Sequence, residues 1–522
     1  MGVNKKAVIV CCWAVSLLPV ASLAAATSDS RLADAVKRRD GEAVHSLLKE
    51  NLDVNTPQPD GTTALAWAAH WGDLETAELL IRAGASVNAA NEYGVTPLSL
   101  ACANGNAAMV EKLLHAGANP NAALVRTGET PLMACARMGN AEAVKLLLAH
   151  GADVNAKESR RGQTALMWAA AQKHPEVVKL LIEHGADIHA RSKGEIPQQY
   201  GSLERKTGFT PLLFAARVGD VDSARILLEA GADINEATPE DGSALVVASA
   251  SAHDKLAMFL LEKGADPNLA DAYGVTALHY AIRRSILEIA GFEFYRERMP
   301  PLNLTELVKA LLAHGADPNA RIARDFPPNN RYHEGQITSP VGATPLLLAA
   351  HSVDVSLMQL LIANGADPML EAKGGNTPLL MAAGLFRDPY IATEEEHKSA
   401  EEAVQLLLGL GADVNQANAR GRTAIHAAAA LGANALIQFL ADKGGKVDAK
   451  DRSGETPWSI AEGMCPGEGS TNACGAYVIH KDTSALLLKL GAKPFTAFER
   501  DDAVSNVPSR REPGTALPSQ AR

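Results

Sequence analysis

The sequence predicts an all-α repeat solenoid built from helix-turn-helix units that are joined by β-hairpin-like finger loops. A Thr-Pro-Leu or Thr-Ala-Leu motif recurs, mostly every 33 or 34 residues, and a Gly-Ala motif follows its Thr by 21 residues in eight of eleven units. A fixed period of this length is the signature of a repeat array. The Thr or Ser of the motif stands at Thr63, Thr96, Thr130, Thr164, Thr210, Ser243, Thr276, Thr344, Thr377, Thr423 and Thr456.

Each part of the repeat has a role in helix formation. A Thr hydroxyl caps a free backbone N–H, and Pro suits the first helical position, where no donor is needed. Leu then points to the core, and a small pair such as Ala68-Ala69 lets neighbouring helices approach closely. The second helix is apolar at helical spacing, for example at Val144, Leu147 and Leu148. The marker Gly ends that helix in a left-handed conformation, and a Gly-containing loop forms the finger.

These units resemble the ankyrin repeat. The strings GVTPLSLACANGNAAMVEKLLHAGANPN and GETPLMACARMGNAEAVKLLLAHGADVN carry the resemblance, which extends over 30–494 as about twelve units. The first unit resembles a capping repeat, since the charged run at 37–40 suits an end that faces water. The resemblance implies a protein or peptide partner held in a concave groove, no cofactor, and a monomer.

One departure from the family pattern concerns the residue after Thr-Pro-Leu. Ankyrin repeats usually place His there to bond between finger loops, but only His279 and His426 keep it. Ala66, Ser99, Met133 and Met167 replace it elsewhere, which implies weaker links between the loops. Cys102 and Cys135 stand in the small pair, so we expect buried small side chains there.

Five insertions interrupt the period. Two, at 190–207 and 321–341, lengthen fingers, and three, at 285–303, 384–399 and 463–482, lengthen the turn between paired helices. Insertions in solenoids often shape the binding face, although long surface loops also accumulate at little cost in free energy. The tail 495–522 loses the period and gathers Pro, Ser and charge, so we expect disorder there.

The N-terminus predicts export. Lys5 and Lys6 precede an apolar run and the small residues Ala24 and Ala26, so 1–26 reads as a cleavable signal peptide. An uncleaved anchor is the alternative, because the apolar run is nearly long enough to span a bilayer. No later segment has that length and character, and the mature chain is therefore expected to be periplasmic or secreted, with no membrane span.

Export affects the interpretation of Cys465 and Cys474, which flank a polar Gly/Pro/Ser loop. In an oxidising compartment this pair favours a local disulfide, with two free thiols as the alternative.

Charge and motif content exclude several functions. The net charge of −11 repels phosphate backbones, so nucleic acid is not an expected partner. No phosphate-binding loop or known catalytic motif is present, so the chain is not expected to be an enzyme. The residues Glu394–Glu396 are predicted to form a solvated run in a loop. His115, His150, His184 and His314 recur one or more repeats apart near helix ends, which does not favour a metal site.

The candidate partner-binding residues occupy positions that vary among ankyrin repeats, namely the fingertips and the far end of each first helix. Trp, Tyr, Met and Arg are enriched at interface hot spots. Individually, the aromatic side chains could instead pack on neighbouring repeats, and the arginines could form ion pairs with acidic residues. The candidates are His70, Trp71, Glu92, Tyr93, Arg126, Arg137, Met138, Arg160, Phe209, Arg217 and Tyr273.

Three functions are therefore distinguished. The leading hypothesis is an exported, non-enzymatic scaffold that binds a protein partner through the ankyrin groove. The first alternative is a hydrolase-like site on the insertions, using His333, Glu334 and the Cys-flanked loop. The second is a small-molecule or glycan site that uses Trp71 and Tyr93.

Overall fold

The computed structural model describes residues 29–50, 52–193, 208–282, 305–325, 339–385, 387, 393–464 and 478–494. The chain divides into two compact units, 1–126 and 127–522. Within the described ranges both units consist of helices in consecutive pairs. Each helix packs on its partner, and within each unit the first helices also pack on the first helix of the next pair. The predicted fold class, an all-helical ankyrin-type repeat, is confirmed. The predicted limits of the array and of its insertions stay predictions.

The first unit contains three described helix pairs. Their bounds are Arg31–Lys37 and Gly41–Lys49, Ala64–Trp71 and Leu74–Arg82, and Pro97–Ala103 and Ala107–His115.

The second unit continues with nine described pairs and one short hairpin. Its strands β1, Ala237–Thr238, and β2, Gly242–Ser243, are antiparallel. The helix bounds are Pro131–Met138 and Ala141–Ala149, Ala165–Ala171 and Pro175–Glu183, Pro211–Val218 and Val221–Glu229, Ala244–Ala250 and Asp254–Glu262, Ala277–Ala281 and Thr305–Ala313, Pro345–His351 and Val355–Ala363, Pro378–Ala382 and Glu394–Gly409, Ala424–Leu431 and Asn434–Asp442, and Pro457–Ala461 and Lys481–Lys489.

The Thr or Ser of the repeat motif precedes the first helix of every described pair except the first, Arg31–Lys37, as predicted. Thr63 Oγ1 accepts the backbone N–H of Ala66 at 3.3 Å, and Thr96 does the same for Ser99 at 3.2 Å. Such a cap satisfies a backbone donor that has no partner within the helix. Cys102, in the small pair that follows, is fully buried, as expected for a small side chain between close helices.

His279 and His426 each make the link between loops that the family pattern implies. The Nδ1 of His279 accepts the backbone N–H of Thr276 at 3.2 Å, and its Nε2 donates to the carbonyl of Ala343, just before the next motif Thr, at 3.3 Å. His426 repeats this with Thr423 and Glu455. Because Nδ1 accepts and Nε2 donates, both rings are neutral.

Backbone hydrogen bonds join each finger to its neighbour within a unit. In the first unit the Val125 N–H donates to the Tyr93 carbonyl at 3.0 Å. In the second, Ser159 donates to Thr127 at 2.7 Å. Near the C-terminal end of that unit, the Arg452 N–H donates to the Arg420 carbonyl at 2.8 Å. Successive fingertips therefore lie side by side at a fixed spacing.

An asparagine four residues after the marker Gly forms a second set of hydrogen bonds between repeats, which the repeat pattern did not predict. The Asn268 Nδ2 donates to the Gly315 carbonyl at 3.0 Å, and its Oδ1 accepts the Asp317 N–H at 2.7 Å. Asn319 makes the same two bonds to Gly365 and Asp367. These links hold repeats in register even where an insertion separates them in sequence.

Replacing Asn268 with alanine is expected to lower the free energy of unfolding by about 1–2 kcal/mol, because both inter-repeat hydrogen bonds are lost. Urea denaturation followed by circular dichroism measures this. His189→Ala is the matched control, since His189 holds the same position in its repeat and is exposed. Equal losses in the two variants would contradict a stabilising role for the asparagine links.

The prediction of a loop at Glu394–Glu396 is wrong, although Glu394 and Glu395 are exposed as expected. These residues form the first turn of the helix Glu394–Gly409, where Thr393 caps the backbone and Glu396 bonds back to Thr393. Carboxylates stabilise this position because they face the positive end of the helix dipole. A capping box of this kind was readable in the sequence as Thr followed three residues later by Glu.

Candidate protein-interaction surface

In the first unit, Trp71 ends the helix Ala64–Trp71 and is 43% exposed. Its ring stacks on Trp67, with centroids 6.4 Å apart, and the His70 ring meets it edge-on at 4.7 Å. Packing on these two rings fixes the orientation of Trp71 while one part of it stays open to solvent. A large side chain held in this way loses little conformational entropy when a partner binds.

Two cations of the preceding helix pair support this aromatic cluster. Lys37 Nζ lies 4.8 Å from the centroid of Trp67, and the Arg39 guanidinium lies 5.6 Å from that of Trp71. Trp67 Nε1 also donates to Gln58 Oε1 at 2.8 Å. The cluster is therefore held by stacking and hydrogen bonding, as well as by burial.

The neighbouring fingertip of the first unit presents Glu92 and Tyr93. Both are exposed, and Tyr93 has half of its surface accessible. The side chain of Glu92 accepts a hydrogen bond from the phenol, which together with its negative charge raises the pKa of Tyr93. Tyr93 therefore stays a neutral donor at physiological pH. Arg126, at the end of this unit, is exposed as well.

In the second unit, Arg137 holds the corresponding place near the end of a first helix. Its guanidinium lies 4.9 Å from the Trp168 centroid and 3.2 Å from Glu129 Oε1. Its carbonyl accepts a hydrogen bond from His174 Nε2 at 3.0 Å. The adjacent Met138 is 48% exposed. An apolar side chain in solvent beside a fixed guanidinium is an arrangement common at protein interfaces.

Lys37 with Trp67 and Arg137 with Trp168 share one geometry. Arg137 stands seven residues after the motif Thr130, and Lys37 stands seven residues after Ser30, which precedes the first helix. Each cation covers an aromatic ring four residues after the motif Thr of the next repeat. This relation was missed in the sequence. It was nonetheless detectable there, as a cation at one motif position followed about thirty residues later by an aromatic residue.

Phe209 requires a correction, because it is buried with only 2% of its surface exposed. Its ring packs edge-on against Phe214 at 5.4 Å, and Arg217 covers both rings, at 5.9 and 5.1 Å. Phe209 directly precedes the motif Thr, a position that points inward, whereas fingertips lie three or four residues before it. Phe209 therefore belongs to the core.

Arg160 and Tyr273 lie at fingertips, as expected. Arg160 is exposed, and its backbone N–H donates to the buried carboxylate of Glu158 at 2.7 Å. Tyr273 is partly buried, and its backbone N–H donates to Asp271 Oδ1 at 2.9 Å. Burial raises the pKa of Asp271, although its hydrogen bonds from Tyr280 and the backbone oppose this shift. The whole candidate set as a binding site stays a prediction.

The histidines near the ends of second helices bond to their own helices. His150, His184 and His314 each place Nδ1 2.8 Å from the carbonyl oxygen four residues earlier. No group of three or more potential metal ligands occurs among the described residues. Within that part of the chain, no helix is long and apolar enough to cross a bilayer.

Several predictions fall outside the described residues. They are the signal peptide at 1–26, the Cys465–Cys474 disulfide, the hydrolase candidates His333 and Glu334, the whole insertion at 285–303, most of the insertions at 190–207, 321–341 and 463–482, part of that at 384–399, and the tail 495–522.

The chain is similar to stretches of much longer curated proteins. E3 ubiquitin-protein ligase KEG of Arabidopsis thaliana is 28% identical over 214 residues, covering 39% of this chain and 12% of that protein. SH3 and multiple ankyrin repeat domains protein 2 of Homo sapiens is 26% identical over 224 residues, covering 39% and 10%. Rabankyrin-5 of Mus musculus is 36% identical over 92 residues, covering 17% and 7%. The chain thus spans about a tenth of the length of these relatives.

Solved structures and family models also match. The human ASB11 ankyrin repeat domain is 26% identical, with a TM-score of 0.38, and the match covers 46% of this chain and 99% of that one. The model for ankyrin repeats (3 copies) matches 32–124, 120–192, 212–292 and 390–468. Those for ankyrin repeats (many copies) and the single ankyrin repeat match 166–228 and 341–373. The model for ankyrin repeats (3 copies) alone matches more than half of the chain. The chain therefore belongs to the ankyrin repeat family.

Proposed function

We propose that this chain is a non-enzymatic scaffold or adaptor of the cell envelope that binds a protein partner on its helix ends and fingertips. One observation carries the proposal. The large side chains Trp71, Tyr93 and Met138 are each about half exposed at these positions. Trp71 is also held in place by stacking on Trp67. Arg137, which precedes Met138, is held over the ring of Trp168. Pre-ordered apolar side chains in solvent favour protein binding, because little entropy is lost when they are covered.

The location in the cell envelope rests on the N-terminal sequence, in which Lys5 and Lys6 precede an apolar run and small residues. Cell fractionation followed by N-terminal sequencing of the mature protein tests it. A start near residue 27 in an extracytoplasmic fraction is expected, whereas an intact N-terminus in the cytoplasm would refute it.

The binding surface is tested by affinity capture from the native envelope fraction with the full chain. The triple variant Trp71→Ala/Tyr93→Ala/Met138→Ala removes the exposed anchors of each unit and is expected to lose most of the partner, because such interface anchors each contribute about 1–2 kcal/mol or more. Arg137 and Arg217 are not substituted, because both pack on aromatic rings of the fold and their removal would also affect stability.

Leu410→Ala/Leu488→Ala is the matched control, since both leucines are 42% exposed but lie at the ends of second helices. It is expected to retain the partner fully. Equal recovery by the wild type, the triple variant and the control would exclude the proposed surface.

A further inference from the structure

At the fingertips at the start of the second unit, cations face solvent, whereas the carboxylates that bond to them are mostly buried. The exposed Asp153 and Asp187 lie at the bases of these fingers, two residues after the marker Gly. We define the basic patch as Arg137, Arg160, Arg161, Arg191 and Lys193. The side chains of Arg137 and Arg191 are 41% and 46% exposed, and their partners Glu129 and Glu236 only 15% and 11%. Arg160, Arg161 and Lys193 are exposed as well. The local surface is therefore positive in a protein whose net charge is −11.

A third carboxylate at these fingertips, that of Glu158, is turned inward. Glu158 is 6% exposed, and its two oxygens accept the backbone N–H groups of Arg160, Arg161 and Gln163 at 2.6–3.1 Å. The Glu158 carboxylate therefore stabilises the fingertip by hydrogen bonds to its backbone. The side chains of Arg160 and Arg161 are exposed on this fingertip. Burial also raises the pKa of the nearby Glu129, although the charge of Arg137 opposes this shift.

The patch is continuous across adjacent fingers. The Lys193 N–H donates to the Arg161 carbonyl at 2.5 Å, and Ser159, next to Arg160, donates to Thr127. Arg137 is connected to these fingertips by its ion pair with Glu129. The backbone N–H of Glu129 in turn donates to Thr127 Oγ1 at 3.3 Å. The exposed Met138 follows Arg137 in the sequence, and the Arg137 guanidinium lies against the ring of Trp168. The basic patch therefore includes apolar surface next to Arg137.

We infer that the partner of this surface is an acidic segment of a protein that also carries apolar side chains. The inference rests on the proposed scaffold function and adds the chemistry of the partner. Carboxylates pair with the outward guanidinium groups, and the apolar side chains pack on Met138 and Trp168. Complementary charge of this kind speeds association and selects among partners. A long polyanion such as nucleic acid is disfavoured, because it also meets the negative charge of the rest of the protein.

The chain contains a matched control for the patch. Arg420 and Arg452 are exposed fingertip residues joined by the same backbone bond as Arg161 and Lys193. Beneath them, however, Arg422 bonds to two buried carboxylates, Asp451 and Glu455. Arg161→Glu/Lys193→Glu and Arg420→Glu/Arg452→Glu change the net charge equally, so they separate a local site from a general effect of charge.

The test measures fluorescence polarisation of a labelled peptide of alternating Glu and Leu, with the full chain at low and physiological ionic strength. The Arg161→Glu/Lys193→Glu variant is expected to bind about tenfold more weakly or worse, a difference of about 1.4 kcal/mol. The Arg420→Glu/Arg452→Glu control should bind like the wild type. A peptide of alternating Lys and Leu should not bind measurably.

Three results would overturn the inference. They are equal loss in both charge-reversed variants, equal binding of the Lys peptide, and tighter binding of a single-stranded oligonucleotide of equal charge. Failure of the scaffold function itself is distinguishable. A native partner lost by the Trp71 triple variant but retained by Arg161→Glu/Lys193→Glu would leave the scaffold function intact and refute only the acidic partner.

Discussion

Lowering the pH from 7 to 4.5 is expected to remove about 2–3 kcal/mol of folding free energy for each of the two buried histidines, His279 and His426. Both are buried, and desolvation lowers the pKa of each to about 4, from an ordinary value of 6.5. The unfolded chain therefore binds more protons than the folded chain between these values. The stability is fully present above pH 6.5 and is lost as the pH falls towards 4.

The hydrogen bond to Nδ1 acts in the same direction as desolvation, whereas the bonds to backbone carbonyls oppose the shift. Nδ1 of each ring accepts a backbone N–H, and a proton on Nδ1 would place two donors against each other. Serine can replace these histidines, because Ser99 and Ser459 make the same reciprocal bonds with Thr96 and Thr456.

The measurement is the free energy of unfolding in urea at several pH values. His279→Ser/His426→Ser should be less stable than the wild type at pH 7, since two inter-repeat bonds are lost, but should depend less on pH below 6.5. His189→Ser, at an exposed site, should follow the wild type. Parallel pH curves for the wild type and the double variant would contradict the buried histidines as the cause.

Gly219→Ala is expected to lower the free energy of unfolding by about 2–4 kcal/mol, the sum of backbone strain and a steric clash. Gly219 has φ +72°, and an added Cβ would lie 2.5 Å from Cγ of the His253 ring in the next repeat. That ring cannot move freely, because its Nε2 bonds to the carbonyl of Arg217 at 3.0 Å.

Gly231→Ala separates the two contributions. Gly231 has φ +100°, but no atom lies within 4 Å of the position of an added Cβ, so only strain of about 1–2 kcal/mol is expected. Adding His253→Ala to Gly219→Ala should recover the clash energy, so the double variant should be more stable than the sum of the single effects predicts. Additive losses, or equal losses in Gly219→Ala and Gly231→Ala, would exclude the contact with His253 as the cause.

The regular part of the fold could be predicted from the sequence because its causes are local. Thr63 and Thr96 cap helices within three residues of themselves, and period and apolar spacing indicate which side chains form the core. The asparagine links could not be predicted in this way. In the sequence Asn268 marks only a turn, and its partners Gly315 and Asp317 lie almost fifty residues away.

The exposure of the candidate residues was predicted correctly where they could be counted from the motif Thr without ambiguity. Trp71, Tyr93 and Met138 are exposed, as expected for helix ends and fingertips. Phe209 follows the insertion at 190–207, which obscured that count, and its aromatic character alone suggested a contact residue. The inward turn of Glu129 and Glu158 was also hidden, because acids and cations alternate in the sequence and only the folded loop separates them.

The most direct test of the central claim, that a protein partner is held on helix ends and fingertips, is site-specific photo-crosslinking in the native cell. A photoreactive amino acid is introduced at Trp71, Tyr93 or Met138, and at the exposed second-helix residues Arg82 and Lys179 as controls. The account predicts one crosslinked partner from the first three positions and none from the controls. Crosslinks from Arg82 and Lys179, with none from Trp71, Tyr93 or Met138, would contradict it.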